Sequence, residues 1–261
     1  MNLIVTTIHK PTPTVAEQAE ELAERLAAPF VERGRSSLGS LCAEHDADTV
    51  LVAAKGGPVV HTAGGEYFFH LSMAELRINN LKDGKPDHMI SAMGLARGMS
   101  VLDCTLGLAT DAVVASFAAG EEGRVVGLEA SPLIAAITGY GLAGFASGRP
   151  DVDAALRRIE VIRADYNAYL ANLPDASFDV VYFDPMFRAP VAASSSLRPI
   201  RTLADPRPVG PEAVAAALRV AKRRVVLKEA RGSGEFARLG FATVVGGKYS
   251  SIHYGILEAG C

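Results

Sequence analysis

The spacing of apolar and polar positions changes rhythm along the chain. Up to about residue 70, short β-rich runs surround one long helical segment. LIVTT reads as a strand. Thr14 and Glu17 form a T-x-x-E capping box that opens the helix TVAEQAEELAERLAA. TVLVAA and PVVHT are β-rich runs either side of Lys55-Gly56-Gly57, a hairpin turn, and EYFFH offers a third strand. From 71 to 97 the period is helical. Met73, Leu76, Ile78 and Leu81 share one segment, Met89, Ile90, Met93 and Leu95 the next, and KDGKPD divides them.

From Met99 strands and helices alternate. SVLDC, RVVGLE, IEVIR, FDVVYFD and RVVLKEA are strand-like. Between them lie DAVVASFAA, a helix opened by Ser131-Pro132, the short YNAYLANL and, after a Ser-, Arg- and Pro-rich loop from about 186 to 210, PEAVAAALRVAK. Such alternation predicts an α/β fold: a mostly parallel sheet with helices on both faces. FATVVGG and SIHYGILE have no helix between them, so they pair antiparallel at one edge. The expected organisation is a small N-terminal α+β portion over 1–70, a helical connection over 71–98 and an α/β domain over 99–261.

Composition narrows this picture. Apolar residues make up 49% of the 261, enough for a sizeable core. Net charge is −3, so no global basic field draws in nucleic acid, and any such partner meets a local patch. Cys42, Cys104 and Cys261 form no CxxC pair, which points to a reducing cytosol and a cytoplasmic protein. The six histidines show no ligand spacing, so no metal is expected. MNLIVTTIHK lacks a basic start and reads as a strand rather than a signal peptide. LIAAITGYGLAGFA is too short to span a membrane.

Four acids close four successive strands: Asp103, Glu129, Asp165 and Asp184. A parallel sheet delivers the carboxyl ends of its strands to one ligand-binding crevice. Acids there make a site that reads hydroxyls and amines, suited to a ribose, an adenine and an amino acid. In DCTLGLATD, Gly107 lets backbone pass close to a ligand, and the following helix N-terminus suits a carboxylate; Thr105 and Thr110 share this turn, and Asp111 meets a ligand ammonium or caps the helix. Glu129 can accept both ribose hydroxyls, as in NAD-binding folds, so it implies an adenosine without choosing the cofactor. Asp165 can accept from an adenine amine with Tyr166 lining the ring, or cap YNAYLANL.

Asp184-Pro185-Met186-Phe187 is the candidate for chemistry. The Asp184 carboxylate and the Pro185 carbonyl can accept both N–H bonds of an aromatic amine, a poor nucleophile, and stabilise charge that develops on attack. Phe187 can stack on the base. Arg188, Arg198, Arg201 and Arg207 lie on the following loop and can hold phosphates, with Arg219, Lys222, Arg223 and Arg224 beyond. Lys228 ends the next strand and can face the crevice. Gly139-Tyr-Gly141-Leu-Ala-Gly144 satisfies G-x-G-x-x-G, but the Ser131-Pro132 helix start leaves no room for the strand that a dinucleotide fingerprint needs.

LDCTLGLATDA, VVGLEAS, VVYFDPMF, VVLKEA and KYSSIHYGI resemble, in order, blocks of the small-subunit (16S) ribosomal RNA methyltransferase J family over roughly 66 to 257. The resemblance implies a Rossmann-like class I methyltransferase with a seven-stranded sheet and an antiparallel edge strand. It also implies S-adenosyl-L-methionine as cofactor, S-adenosyl-L-homocysteine as product, and a guanine N2 of ribosomal RNA in the small subunit as acceptor. It places Thr110, Asp111, Glu129, Ala130, Asp165, Tyr166 and Asp184 at the cofactor. Arg188 stands where the family has proline, and the chain up to about 65 shows no match. A sister branch acting on a small molecule or protein therefore stays open. So do an NAD-dependent oxidoreductase and a non-catalytic cofactor-binding module.

Overall fold

The computed structural model describes residues 2–185 and 203–260. In chain order it opens with β1 (Leu3–Thr7), α1 (Pro13–Leu26), α2 (Leu38–His45), β2 (Thr49–Ala53), β3 (Val59–Thr62) and β4 (Gly65–Phe68). The helical stretch holds α3 (Ala74–Lys82) and α4 (His88–Met93). Then follow β5 (Ser100–Asp103), α5 (Thr110–Ala119), β6 (Arg124–Glu129), α6 (Pro132–Gly144), α7 (Pro150–Arg157), β7 (Ile159–Arg163), α8 (Tyr166–Asn172) and β8 (Phe178–Phe183). The last described elements are α9 (Pro211–Val220), β9 (Ala221–Ala230), α10 (Glu235–Arg238), β10 (Thr243–Val245) and β11 (Ile252–Glu258).

The described residues group into two compact units. One holds the chain up to His70 together with Ser131–Phe145; the other holds Leu71–Ala130 and the sheet-forming residues from Ala146 onward. In the first, the strands run in the order β1-β2-β3-β4, with β1 parallel to β2 and the remaining pairs antiparallel. Ile4, Leu41, Val50 and Val52 form its small core. Helix α1 starts earlier than the Thr14–Glu17 box implies. Thr12 is the N-cap, its hydroxyl accepting from Val15 N at 3.4 Å, and Pro13 takes the first helical position, where a missing N–H costs nothing.

Helix α6 belongs to this first unit, and the G-x-G-x-x-G run lies wholly inside it. Those glycines begin seven residues into the helix, not in the turn between β6 and α6, so this run does not form the phosphate-binding turn of a dinucleotide fold. Their use is packing: a Cβ on Gly141 would collide with the Phe69 ring, which also meets Phe145 edge-on at 5.6 Å.

The second unit is built on seven strands in the order β10-β11-β9-β8-β5-β6-β7. Strands β7, β6, β5, β8 and β9 are mutually parallel; β11 runs antiparallel to both β9 and β10. The antiparallel pair lies at one edge, with β11 one strand in and β10 outermost. Leu102, Val126, Val181, Val225 and Leu227 are fully buried and pack with Leu170 of α8 and Ala213 and Ala217 of α9. Each buried Leu or Val among them contributes about 1.5–3 kcal/mol by leaving water. Two details differ from the pattern reading. Helix α7 occupies PDVDAALR, and Ala221 and Lys222 open β9 instead of closing the helix before it. Among the described residues, no helix is long and apolar enough to cross a membrane.

Substitutions in α6 test the packing role of its glycines. Gly139→Ala meets nothing closer than 3.9 Å and should stabilise by about 0.5–1 kcal/mol through helix propensity. Gly141→Ala should destabilise by about 1–3 kcal/mol through overpacking. Urea unfolding of both variants measures the contrast, and equal effects would contradict it.

Candidate active site

Strands β7, β6, β5 and β8 are contiguous and parallel, so Asp165, Glu129, Asp103 and Asp184 all arrive at the same edge of the sheet. Backbone bonds tie the loops above them. Asp103 accepts from Thr105 N at 3.0 Å, and the Thr105 hydroxyl accepts from Asp184 N at 2.6 Å, joining the β5 and β8 loops. Gly107 donates its N–H to Glu129 Oε2 at 3.1 Å. Gly107 has φ +52°, a left-handed conformation that costs glycine little, and its nearest neighbour to a hypothetical Cβ is 4.0 Å away. Ala109 is also left-handed and gives α5 no side-chain cap, so the first-turn N–H groups beginning at Thr110 face the loop.

This set fits an adenosine-bearing amino acid. The buried Glu129 carboxylate at the β6 tip suits ribose hydroxyls, the bare Gly107 backbone permits close approach, and the α5 N-terminus suits a carboxylate. Ala130 directly follows Glu129. Burial lifts the Asp103 carboxyl to about 8, against the pull of the Thr105 N–H, so it is held largely protonated at neutral pH.

Asp165 is the N-cap of α8: one oxygen accepts from Asn167 N at 2.8 Å and Ala168 N at 3.3 Å, and the other pairs with Arg207. Burial pushes this carboxyl up, but Arg207 and the cap N–H groups outweigh it and hold it below the ordinary range. Tyr166 is 7% exposed and packs edge-on against Phe183 at 5.6 Å.

Asp111 is neither a cap nor a solvent-facing acid. One oxygen takes Arg77 of α3; the other takes the Tyr182 hydroxyl at 2.7 Å and Lys228 Nζ at 2.8 Å. Lys228 also donates to Asp184 Oδ2 at 2.8 Å. Arg77 in turn donates to both oxygens of Asp87, the N-cap of α4, at 2.7 and 2.9 Å. Burial raises the Asp111 carboxyl, but Lys228 and Arg77 outweigh it and hold it well below the usual range. Asp184 goes the other way: burial lifts it above that range despite Lys228. Its side chain keeps 29% of its surface exposed, and Oδ1 accepts no hydrogen bond among the described residues.

The basic residues divide. Phe187, Arg188, Arg198 and Arg201 lie outside the described residues. Arg207 is paired with Asp205 and Asp165. Arg219, Lys222, Arg223 and Arg224 are not beside Asp184. They sit where α9 ends and β9 begins, about 13 Å of strand or more before Lys228. Arg77, Asp87 and Tyr182 escaped sequence reasoning; their partners are 10 to 71 residues away, and a single chain carries no local signal for such pairing. Among the described residues, no group of three or more potential ligands gathers for a metal.

The Asp111 pairing has a pH signature. Its carboxyl titrates well below the 3.8 of free aspartate, so its stabilisation is complete above that value and is lost as pH falls toward the folded-state value. Asp111→Asn should therefore cost about 3–5 kcal/mol near neutrality, and the gap from wild type should begin to narrow below about pH 4 and shrink further with acid. Denaturant melts across pH check this; a gap unchanged by acid would contradict it.

Comparison with known proteins places this geometry. The family model described as "Putative SAM-dependent methyltransferase" matches residues 68–248. YpiP of Bacillus subtilis, an uncharacterized protein, is 35% identical over 255 residues, covering 98% of this chain and 99% of its own. Ribosomal RNA small subunit methyltransferase J of Thioalkalivibrio sulfidiphilus is 30% identical over 221 residues, covering 81% of this chain and 82% of its own. The solved SAM-dependent methyltransferase NGO1261 of Neisseria gonorrhoeae shares the fold with TM-score 0.66 at 18% identity, over 98% of this chain and 96% of that one. With its Rossmann-like class I fold, this chain belongs to the S-adenosylmethionine-dependent methyltransferase family that includes ribosomal RNA small subunit methyltransferase J, and S-adenosylmethionine is its cofactor.

Proposed function

We propose that the chain methylates an exocyclic amine, the N2 of a guanine, in ribosomal RNA of the small subunit. The supporting observation is Asp184: a partly exposed carboxylate at the carboxyl rim, fixed through Oδ2 by Lys228, with Oδ1 turned to no described partner. The methyltransferase J relatives, whose name states a ribosomal RNA target, support the same substrate class.

When bound, S-adenosylmethionine supplies an electrophilic methyl group on a sulfonium. Glu129, the Gly107 backbone and the first turn of α5 would hold its ribose and amino-acid ends; Asp103, Thr105 and Asp165 complete the rim. Asp184 Oδ1 and the Pro185 carbonyl accept the two N–H bonds of the amine, localise its lone pair and offset the positive charge that grows on nitrogen. Lys228 keeps the carboxylate from rotating away, so alignment is set before reaction. The raised affinity of Asp184 for a proton then suits it to receive the one the amine releases. A paired guanine cannot reach this rim, so the acceptor is unpaired or flipped out.

Tritium-labelled cofactor and ribosomal RNA from cells lacking the gene provide the assay, with nucleoside mass spectrometry to identify the product. Label should appear as N2-methylguanosine, and Asp184→Ala should lower kcat by at least about 100-fold. Label confined to protein or to small molecules would reject the RNA acceptor.

The rate should also fall on the acid side as Asp184 takes up a proton, with the limb above 3.8 because burial raises this group. A pH–rate profile of Asp184→Asn should lack that limb. Persistence of the limb would assign it to another group.

A further inference from the structure

Tyr249, in the loop between β10 and β11, is 90% exposed, the most exposed large apolar side chain among the described residues. The loop beneath it is ordered by specific bonds. Ser250 N donates to Gly247 O at 3.0 Å, and the Ser250 hydroxyl donates to Ile252 O at 2.8 Å while accepting from Ile252 N at 3.1 Å. Arg231, just past the end of β9, donates Nη1 to Lys248 O at 2.9 Å and its backbone N–H to Ser251 O at 2.8 Å. The imidazole of His88 lies against Gly247. Lys248 Nζ stands 5.4 Å from the Tyr249 ring centroid, a cation over an aromatic face.

The position of this loop is as informative as its exposure. Ile252 pairs with Ala230, two residues beyond Lys228, whose ammonium holds Asp184. Strand β11 is two places from β8 in the sheet, about 10 Å by strand spacing. Tyr249 is therefore held out to water at the same rim as the reacting carboxylate, with one cation beside it. A small-molecule acceptor, enclosed at Asp184, would have no use for a ring there. A chain of net charge −3 has to bind a polyanion through local points, and an aromatic face joined to an ammonium is the unit that recognises an unstacked base and its phosphate.

We propose that Tyr249 and Lys248 dock single-stranded RNA, with an unpaired base near the target stacking on the Tyr249 ring and a backbone phosphate meeting Lys248. This rests on the RNA reading of the preceding section and adds to it the surface that holds the strand outside the reaction pocket.

Fluorescence anisotropy with a labelled, guanine-containing single-stranded RNA tests it, alongside calorimetry with S-adenosylhomocysteine and the tritium assay. Tyr249→Ala should weaken RNA binding by about tenfold, the loss of one stacked base. Tyr249→Phe should bind like wild type, because the ring face is kept. Lys248→Gln should reduce the slope of log affinity against log salt by about one. All three variants should bind S-adenosylhomocysteine as wild type does. If wild type methylates RNA and Tyr249→Ala binds it equally well, the docking role is overturned while the RNA reading stands; docking of a protein partner would give this result. Loss of S-adenosylhomocysteine binding in Tyr249→Ala would overturn it too, by making the loop part of the cofactor site. Absence of RNA methylation by wild type would remove both.

Discussion

A lysine ammonium shared by two carboxylates is the interaction on which the site depends. Lys228 comes from β9, Asp111 from the first turn of α5 and Asp184 from the end of β8, and Arg77 of α3 joins Asp111 to Asp87 of α4. Five elements meet through groups largely withdrawn from water. In such a place a lone charge is costly and a paired one is strongly held, so loss of any partner is felt by the rest. Three carboxylates face two cations, and the negative charge left over suits a sulfonium nucleoside. The same lysine aims the group proposed to meet the acceptor, so stability and alignment share one bond.

The parallel sheet supplies the address for this cluster. Because β7, β6, β5 and β8 are neighbours with one direction, side chains from residues 103 to 184 need no long-range search to meet. Two short ties then fix the loops: Asp184 N to the Thr105 hydroxyl, and Gly107 N to Glu129. Neither tie needs a ligand, so the rim is formed in the protein alone and a cofactor enters a surface already shaped for it. The antiparallel β10–β11 pair extends the sheet beyond β9 and carries Tyr249 to the same rim.

Much of this was legible in the sequence because its signals are local. Strand–helix alternation gave the sheet, and an acid after each apolar run marked its carboxyl edge. The capping ability of Asp165 was visible from YNAYLANL, and the cap and its Arg207 pairing occupy both oxygens. Other features were hidden for physical reasons. Thr14 and Glu17 made a convincing box, yet Pro13 fits only the first turn and moves the cap to Thr12. Helix α7 is masked by its charged start, PDVD. Arg219 to Arg224 follow the Arg-rich loop closely in sequence, but a ten-residue strand carries Lys228 away from them. The role of Arg77 depends on Asp111, 34 residues on, and nothing along the chain announces that meeting.

The account turns on where the nucleoside sits, and a crystal structure with bound S-adenosylhomocysteine measures that directly. It predicts ribose hydroxyls on Glu129, ligand against the Gly107 backbone, and Lys228 still bridging Asp111 and Asp184. A ligand seated away from this rim, with Glu129 untouched, would contradict it.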